Sequence, residues 1–439
     1  MKIAWLMIWA APLGLAQGPL ALSMKRAVEI AISPEGNTRM QLTGEALKQA
    51  QWKSTESRAA LLPDVEGAFS DQSRTENLAA LGLNKLAITL PGFTFPTFVG
   101  PFSTMDARVS GTQSIFDFSA LRTFQASKMG ISAAKSDLDT AGEQVAGQVA
   151  RAYLAAVKAD ADVETAVANA TLSEAVQKQA ENQKAAGTGT GIEITRAKVQ
   201  LANDRQHLLA ARNAGRTAHL QLLRAIGLRL DTEIQLTDRM EYLPVDPVTL
   251  EQARTQAVGQ RPDLKAQQNR ETTARLQASA TRLERLPTVA AYGDYGANGT
   301  GFDNSLPTRT VGIQVKIPLF DGGRRDARRD ESASQYRQEK VRTHDLREQI
   351  ELDVRVALDE LQSADDEVKV AKEGLTLAED ELAQARRRYD AGVAIGVEVT
   401  DAQTRLERAR DNQTEALYGY NLARLDLAQA MGKIRSLVQ

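Results

Sequence analysis

The sequence predicts a mostly α-helical protein with a transmembrane β part, a tandem repeat of long coiled-coil αα-hairpins with four β-strands per chain. Three observations carry this prediction. First, YDAGVAIGVEVTDAQTRLERAR at 389–410 restates KAAGTGTGIEITRAKVQLANDR at 184–205. Gly392, Gly396, Glu398, Thr400, Ala402 and Leu406 stand 205 positions after Gly187, Gly191, Glu193, Thr195, Ala197 and Leu201. Self-similarity at a fixed offset marks a duplicated structural unit. Second, Ile350, Val354, Ala357, Leu361, Ala364, Val368, Ala371, Leu375, Ala378, Leu382, Ala385 and Tyr389 alternate spacings of four and three. That is a heptad seam, the pattern of a coiled coil. Third, TVGIQVKI at 310–317 sets Val311, Ile313, Val315 and Ile317 on one face and Thr310, Gly312, Gln314 and Lys316 on the other, as a strand with one apolar side requires.

The elements follow in chain order. Residues 1–16 place Lys2 before an apolar run from Ile3 to Leu15 and end on the small Gly14 and Ala16. This is the pattern of a secretory signal peptide, and the run is shorter than the ~20 residues of a membrane span. The first structural repeat, 17–243, holds strands at about 64–74 and 105–115. Pro63 stops an incoming helix before them, and an apolar loop at about 77–101 separates them. A helical hairpin at about 119–227 follows, with the seam Val145, Val149, Ala152, Ala156, Ala159, Val163, Ala166 and Ala170. The second repeat, 244–439, starts in the proline-rich LPVDP at 243–247. It holds strands at about 288–297, opened by Pro287, and 309–319, then a hairpin at about 324–432. The first helix of each hairpin would be roughly 100 Å long at 1.5 Å per residue. The glycine turns reverse the chain.

Bulk composition excludes several classes. The chain has 439 residues, 25% charged, with a formal net charge of −2. Nucleic-acid binding driven by overall positive charge is excluded. Without cysteine there are no disulfides, thiolate metal sites or lipid-bearing N-terminal Cys. His207, His219 and His344 have no metal-ligand spacing. Gly187-Thr188-Gly189-Thr190-Gly191 looks like a phosphate loop, but it joins two helices and lacks the Lys-Ser/Thr pair. No nucleophile has an identifiable base. The reading is therefore no enzyme, no cofactor and no protein-held metal.

Four strands with one apolar and one polar face have the alternation of a transmembrane barrel. They cannot close one, because such barrels start at about eight strands. An open sheet edge in lipid leaves backbone groups unsatisfied. If these strands enter a membrane, several chains must share a barrel. The alternative is an exported coiled-coil structural or adhesion protein without a pore, its strands capping the helices as a soluble domain. A periplasmic adaptor is disfavoured, since it would carry one hairpin and not two.

Ile317-Pro318-Leu319-Phe320-Asp321-Gly322-Gly323-Arg324 at the strand-to-helix corner, and Tyr389-Asp390-Ala391-Gly392 with Val397 to Ala402 at the turn, are the most telling stretches. With the duplication, they make the mature chain resemble the TolC-type outer membrane factor family over essentially its whole length. The resemblance implies a homotrimer whose strands form one 12-stranded outer-membrane barrel continued by an α-helical tunnel into the periplasm. It implies the exit duct of a tripartite efflux pump or type I secretion system. The partners would be a periplasmic adaptor, through it an inner-membrane pump, and outer-membrane lipid.

Both hairpin tips would then meet at the periplasmic mouth. Glu193 and Glu398 are equivalent, and Asp401 lies one turn further. In a threefold assembly they form carboxylate rings that favour cations. The resemblance matches Glu398 and Asp401 to acidic gate residues and Tyr389 to a gate tyrosine. The plainer reading is that acids in a helix's first turn stabilise its positive end by about 0.3–1 kcal/mol. The sequence departs from the family at Ala394, where some relatives carry an arginine of the gate network, and at Lys184 and Arg196. Arg196 is expected to pair with Glu398 or Asp401. The tips, Gly187, Thr188, Gly189 and Thr190 in one half and Gly392, Val393, Ala394 and Ile395 in the other, are assigned to adaptor contact. An exposed apolar turn suits a partner, although packing against its neighbour would explain it as well.

Overall fold

The computed structural model describes residues 20–80, 96–187 and 189–438. The expected signal peptide, 1–16, the middle of the apolar loop expected at 77–101, and Thr188 lie outside the described residues. The chain runs β1 (Leu20–Leu22), α1 (Met24–Ile32), α2 (Thr38–Ala59), β2 (Asp64–Asn77), β3 (Phe98–Phe116), α3 (Phe118–Ala185) and α4 (Gly191–Ile226). It continues through β4 (Ile234–Leu236), α5 (Leu250–Gln260), α6 (Pro262–Leu283), β5 (Thr288–Gly299), β6 (Leu306–Lys316), α7 (Arg324–Asp390), α8 (Gly396–Ala430) and α9 (Ile434–Val438). Two helices, two strands and two helices thus occur in that order twice. Ser23 and Thr249 cap the first helix of each series, accepting from the backbone N–H of Arg26 and Gln252, as short hydroxyl side chains do at helix starts. Among the described residues no helix is long and apolar enough to cross a membrane.

The chain forms two compact units, and each draws on both sequence halves. One unit, 46–135 and 265–344, holds an antiparallel sheet of order β2-β3-β5-β6. Its register gives it two unlike faces. Gly67 pairs with Val109, Phe69 with Ala107, Val109 with Tyr295, and Gly293 with Val311. Val65, Phe69, Val109, Tyr295, Val311, Ile313 and Val315 therefore share one side, all exposed. The other side carries Glu66, Asp106, Arg108, Asp294 and Lys316. There Arg108 bridges Asp106 and Asp294, each at 2.8 Å. Tyr292 lies over its cross-strand partner Gly312, where a Cβ would meet the ring hydroxyl at 2.6 Å.

Several strand ends differ from the sequence reading: β2 runs on to Asn77, β5 runs on to Gly299 and β6 begins at Leu306. β3 begins at Phe98 and not near 105, because the ladder passes Pro101 through an irregularity opposite Arg74 and Glu76. A bulge is where a strand tolerates a residue without an N–H. β6 stops at Lys316 and not at 319, since Pro318 cannot donate to the ladder.

The other unit comprises 20–45, 136–264 and 345–438 among the described residues. Its seam positions are buried or partly buried. Val145, Val149 and Ala152 pack with Val28, Leu222 and Ile226. The equivalent Ile350, Val354 and Ala357 pack with Ala253, Leu264 and Leu427. Each fully buried Val or Ile contributes roughly 1.5–3 kcal/mol. The Tyr153 hydroxyl donates to the carbonyl of Leu22 at 2.9 Å, and the Tyr420 hydroxyl to that of Leu243 at 2.9 Å. Further along α7 and α8, Ala378, Leu382 and Ala385 close on Val399, Ala402 and Leu406.

Candidate functional site at the hairpin tips

Each turn is built on a glycine in the left-handed region. Gly392 has φ 71° and Gly187 φ 78°. A Cβ disfavours this conformation, so helices commonly end on glycine here. In the second turn the Gly392 N–H donates to the Tyr389 carbonyl at 3.0 Å, and the Val393 N–H to that of Arg388 at 3.0 Å. In the first, the Gly187 N–H donates to Lys184 and the Gly189 N–H to Gln183, both at 3.0 Å. The chain re-enters the helix through extended residues, Thr190 and Ile395. The tips differ in what they present. Val393 and Ile395 are 69% and 64% exposed. Ala394 is partly buried, while Gly187 and Thr190 are exposed and Gly189 is partly buried.

Three contacts tie the second tip to the first. The Tyr389 hydroxyl donates to the side-chain oxygen of Gln183. Gln179 Nε2 donates to Asp390 Oδ1 at 2.7 Å. Glu193 and the Tyr389 ring both flank Gly396, where a Cβ would meet them at 3.6 and 3.7 Å. Burial, then the charges of Glu193 and Asp390, raise the Tyr389 phenol above its ordinary value. It therefore stays a protonated donor at neutral pH.

The acids take unlike positions. Glu193 Oε2 accepts from the Thr190 N–H at 2.8 Å, so it completes its own helix start in the manner of a capping box. Glu398 pairs with Arg388, within its own hairpin, at 3.3 Å. Asp401 and Arg196 are exposed on α8 and α4. Among the described residues no ion pair joins Arg196 to Glu398 or Asp401 within the chain: the pairing expected for Arg196 is not made here, and Arg388 holds Glu398 instead. Gln179 and Gln183 were not singled out from sequence, and Asp390 was named only as part of the turn stretch and not as a site residue. The available signal was the offset that aligns Tyr389 with Lys184, one residue past Gln183.

The comparisons with known proteins agree in kind. The family described as "Outer membrane efflux protein" matches residues 36–228 and 253–433. The alkaline protease secretion protein AprF of Pseudomonas aeruginosa is 24% identical over 323 residues, covering 70% of this chain and 65% of AprF. The pyoverdine export outer membrane protein OpmQ of Pseudomonas putida is 24% identical over 396 residues, covering 88% of this chain and 81% of OpmQ. The fold is that of the Campylobacter jejuni CmeC outer membrane channel, with a TM-score of 0.80 at 16% identity, covering 93% of this chain and 85% of that one.

Proposed function

Because the chain belongs to the outer membrane efflux protein family, we propose that it is the outer-membrane exit duct of a tripartite efflux pump or a type I secretion system. It conducts passively across the periplasm and is gated at its hairpin tips. The observation that carries this reading is the sheet of β2, β3, β5 and β6. One face is mostly apolar and bare, the other is charged, and among the described residues both outer strands keep an unpaired edge. Such a sheet suits lipid on one side and water on the other, but only once its edges are paired. Three copies joined edge to edge supply the twelve strands of a shared barrel, with helices continuing it as a tunnel.

At the mouth, Tyr389 with Gln183, and Gln179 with Asp390, hold the two hairpins of one chain together as the closed state. Glu398, Asp401 and Glu193 supply carboxylate rings in the threefold assembly, with Arg196 beside them. The turns Gly187–Thr190 and Gly392–Ile395 are the adaptor contacts, the apolar second turn foremost. The native mass of protein extracted in detergent from the outer-membrane fraction tests the assembly. A trimer there is the expected result; a monomer in the soluble periplasm would sink the duct.

A further inference from the structure

The first hairpin carries an acid in its seam where the second carries alanine. On α4 the seam runs Ile194, Ala197, Leu201, Asp204, and on α3 it passes Ala170 and Ser173. At the equivalent positions, 205 residues on, stand Ala409 and Ala378, which pack into the apolar core of the second hairpin. Asp204 is 5% exposed. It accepts hydrogen bonds from the Ser173 hydroxyl and, at 3.0 Å, from Gln200 Nε2. A carboxylate buried in a seam is costly unless paired, and among the described residues this one has no cation on it, only neutral donors.

A second polar row lies on α8, and its middle member, Glu407, is close enough to Asp204 to feel that charge. Gln403, Glu407 and Asp411 are spaced by four, on one side of the helix. Gln403 is 2% exposed, and its amide nitrogen has no hydrogen-bond partner. Glu407 is half-buried. The charged groups around the row are Asp204 and His207 on α4, Arg410 and Asp411 on α8, and Asp162 and Lys158 on α3. Arg410 is drawn to Asn169 at 3.1 Å, and Lys158 to Asp162 at 3.1 Å and Glu415 at 3.3 Å.

We propose that Glu407 and Asp204 form a proton-binding layer between α8 and α4: a proton on Glu407 keeps the two hairpins packed at this height, and its loss sets two carboxylates against each other and loosens the contact. Burial, then the charges of Asp204 and Asp411, push the Glu407 carboxyl up to about 7, while Arg410 pulls it down. The sign follows. Packed hairpins hold the proton more tightly than separated ones, so packing is favoured in acid and weakens as pH rises through about 7. The bearing on transport rests on the proposed duct; the packing does not.

Hydrogen–deuterium exchange on the full-length protein in detergent tests it, with peptides spanning 198–210 and 400–412 normalised to peptides from α6. Local opening should rise about tenfold between pH 6 and pH 8, taking an ordinary Glu value in the open state. Glu407→Gln should flatten the rise, and Asp204→Asn should move its midpoint to lower pH. Equal pH dependence in wild type and Glu407→Gln overturns the layer. So does a rise abolished by His207→Gln but kept in Glu407→Gln. Each result stands whether or not the protein conducts.

Discussion

At the scale of single residues, the tip is where chemistry and geometry meet. The hydrogen bond from Tyr389 to Gln183 joins residues 206 apart. Tyr389→Phe removes the donor and keeps the ring. It should cost about 0.5–1.5 kcal/mol in unfolding stability, yet raise the leak conductance in planar bilayers. A variant as tight as wild type would show that the bond does not hold the mouth. The tyrosine was singled out through the resemblance to the family's gate tyrosine, and it also ends the seam just before a glycine turn. Gln183 was not, because it lies off the seam and is chosen by how two hairpins dock. Glu193 shows the reverse difficulty: the duplication singled it out, but its carboxylate is engaged with the Thr190 backbone. Position alone does not separate a cap from a gate.

At the scale of elements, periodicity served well wherever burial enforced it. The heptads located α3 and α7 closely, since Ile350, Val354 and their equivalents are buried to the last atom. The strands were found by alternation, which fixes faces but not ends. β3 carried on through a bulge past Pro101, and β6 stopped short at Pro318; both ends depend on backbone partners that no side-chain pattern announces. The turns differ in kind. Val393 and Ile395 touch little within the chain, so a Val393→Asp, Ile395→Asp double variant should change unfolding stability by no more than about 0.5 kcal/mol per site. It should nonetheless lose pull-down of the adaptor. Retained adaptor binding would move the docking surface off this turn.

At the scale of the whole molecule, the sequence revealed a duplication, whereas the compact units do not respect its halves. Each unit takes matching pieces from both, because equivalent elements carry equivalent apolar faces and collect with their like. β3 and β5, one from each half, lie side by side, leaving β2 and β6 as the sheet's two free edges among the described residues. Those edges have a genetic consequence. A chain spoiled at one edge alone, for instance by proline replacing Ile313 in β6, keeps a sound β2 edge and can still join its neighbours. It then stops the ring from closing. Expressed equally with wild type, it should leave only about one threefold assembly in eight free of the defect. Export in such a mixed strain should fall far below half, a dominant trait readable by co-expression. If export falls only to half, the chains do not share a ring.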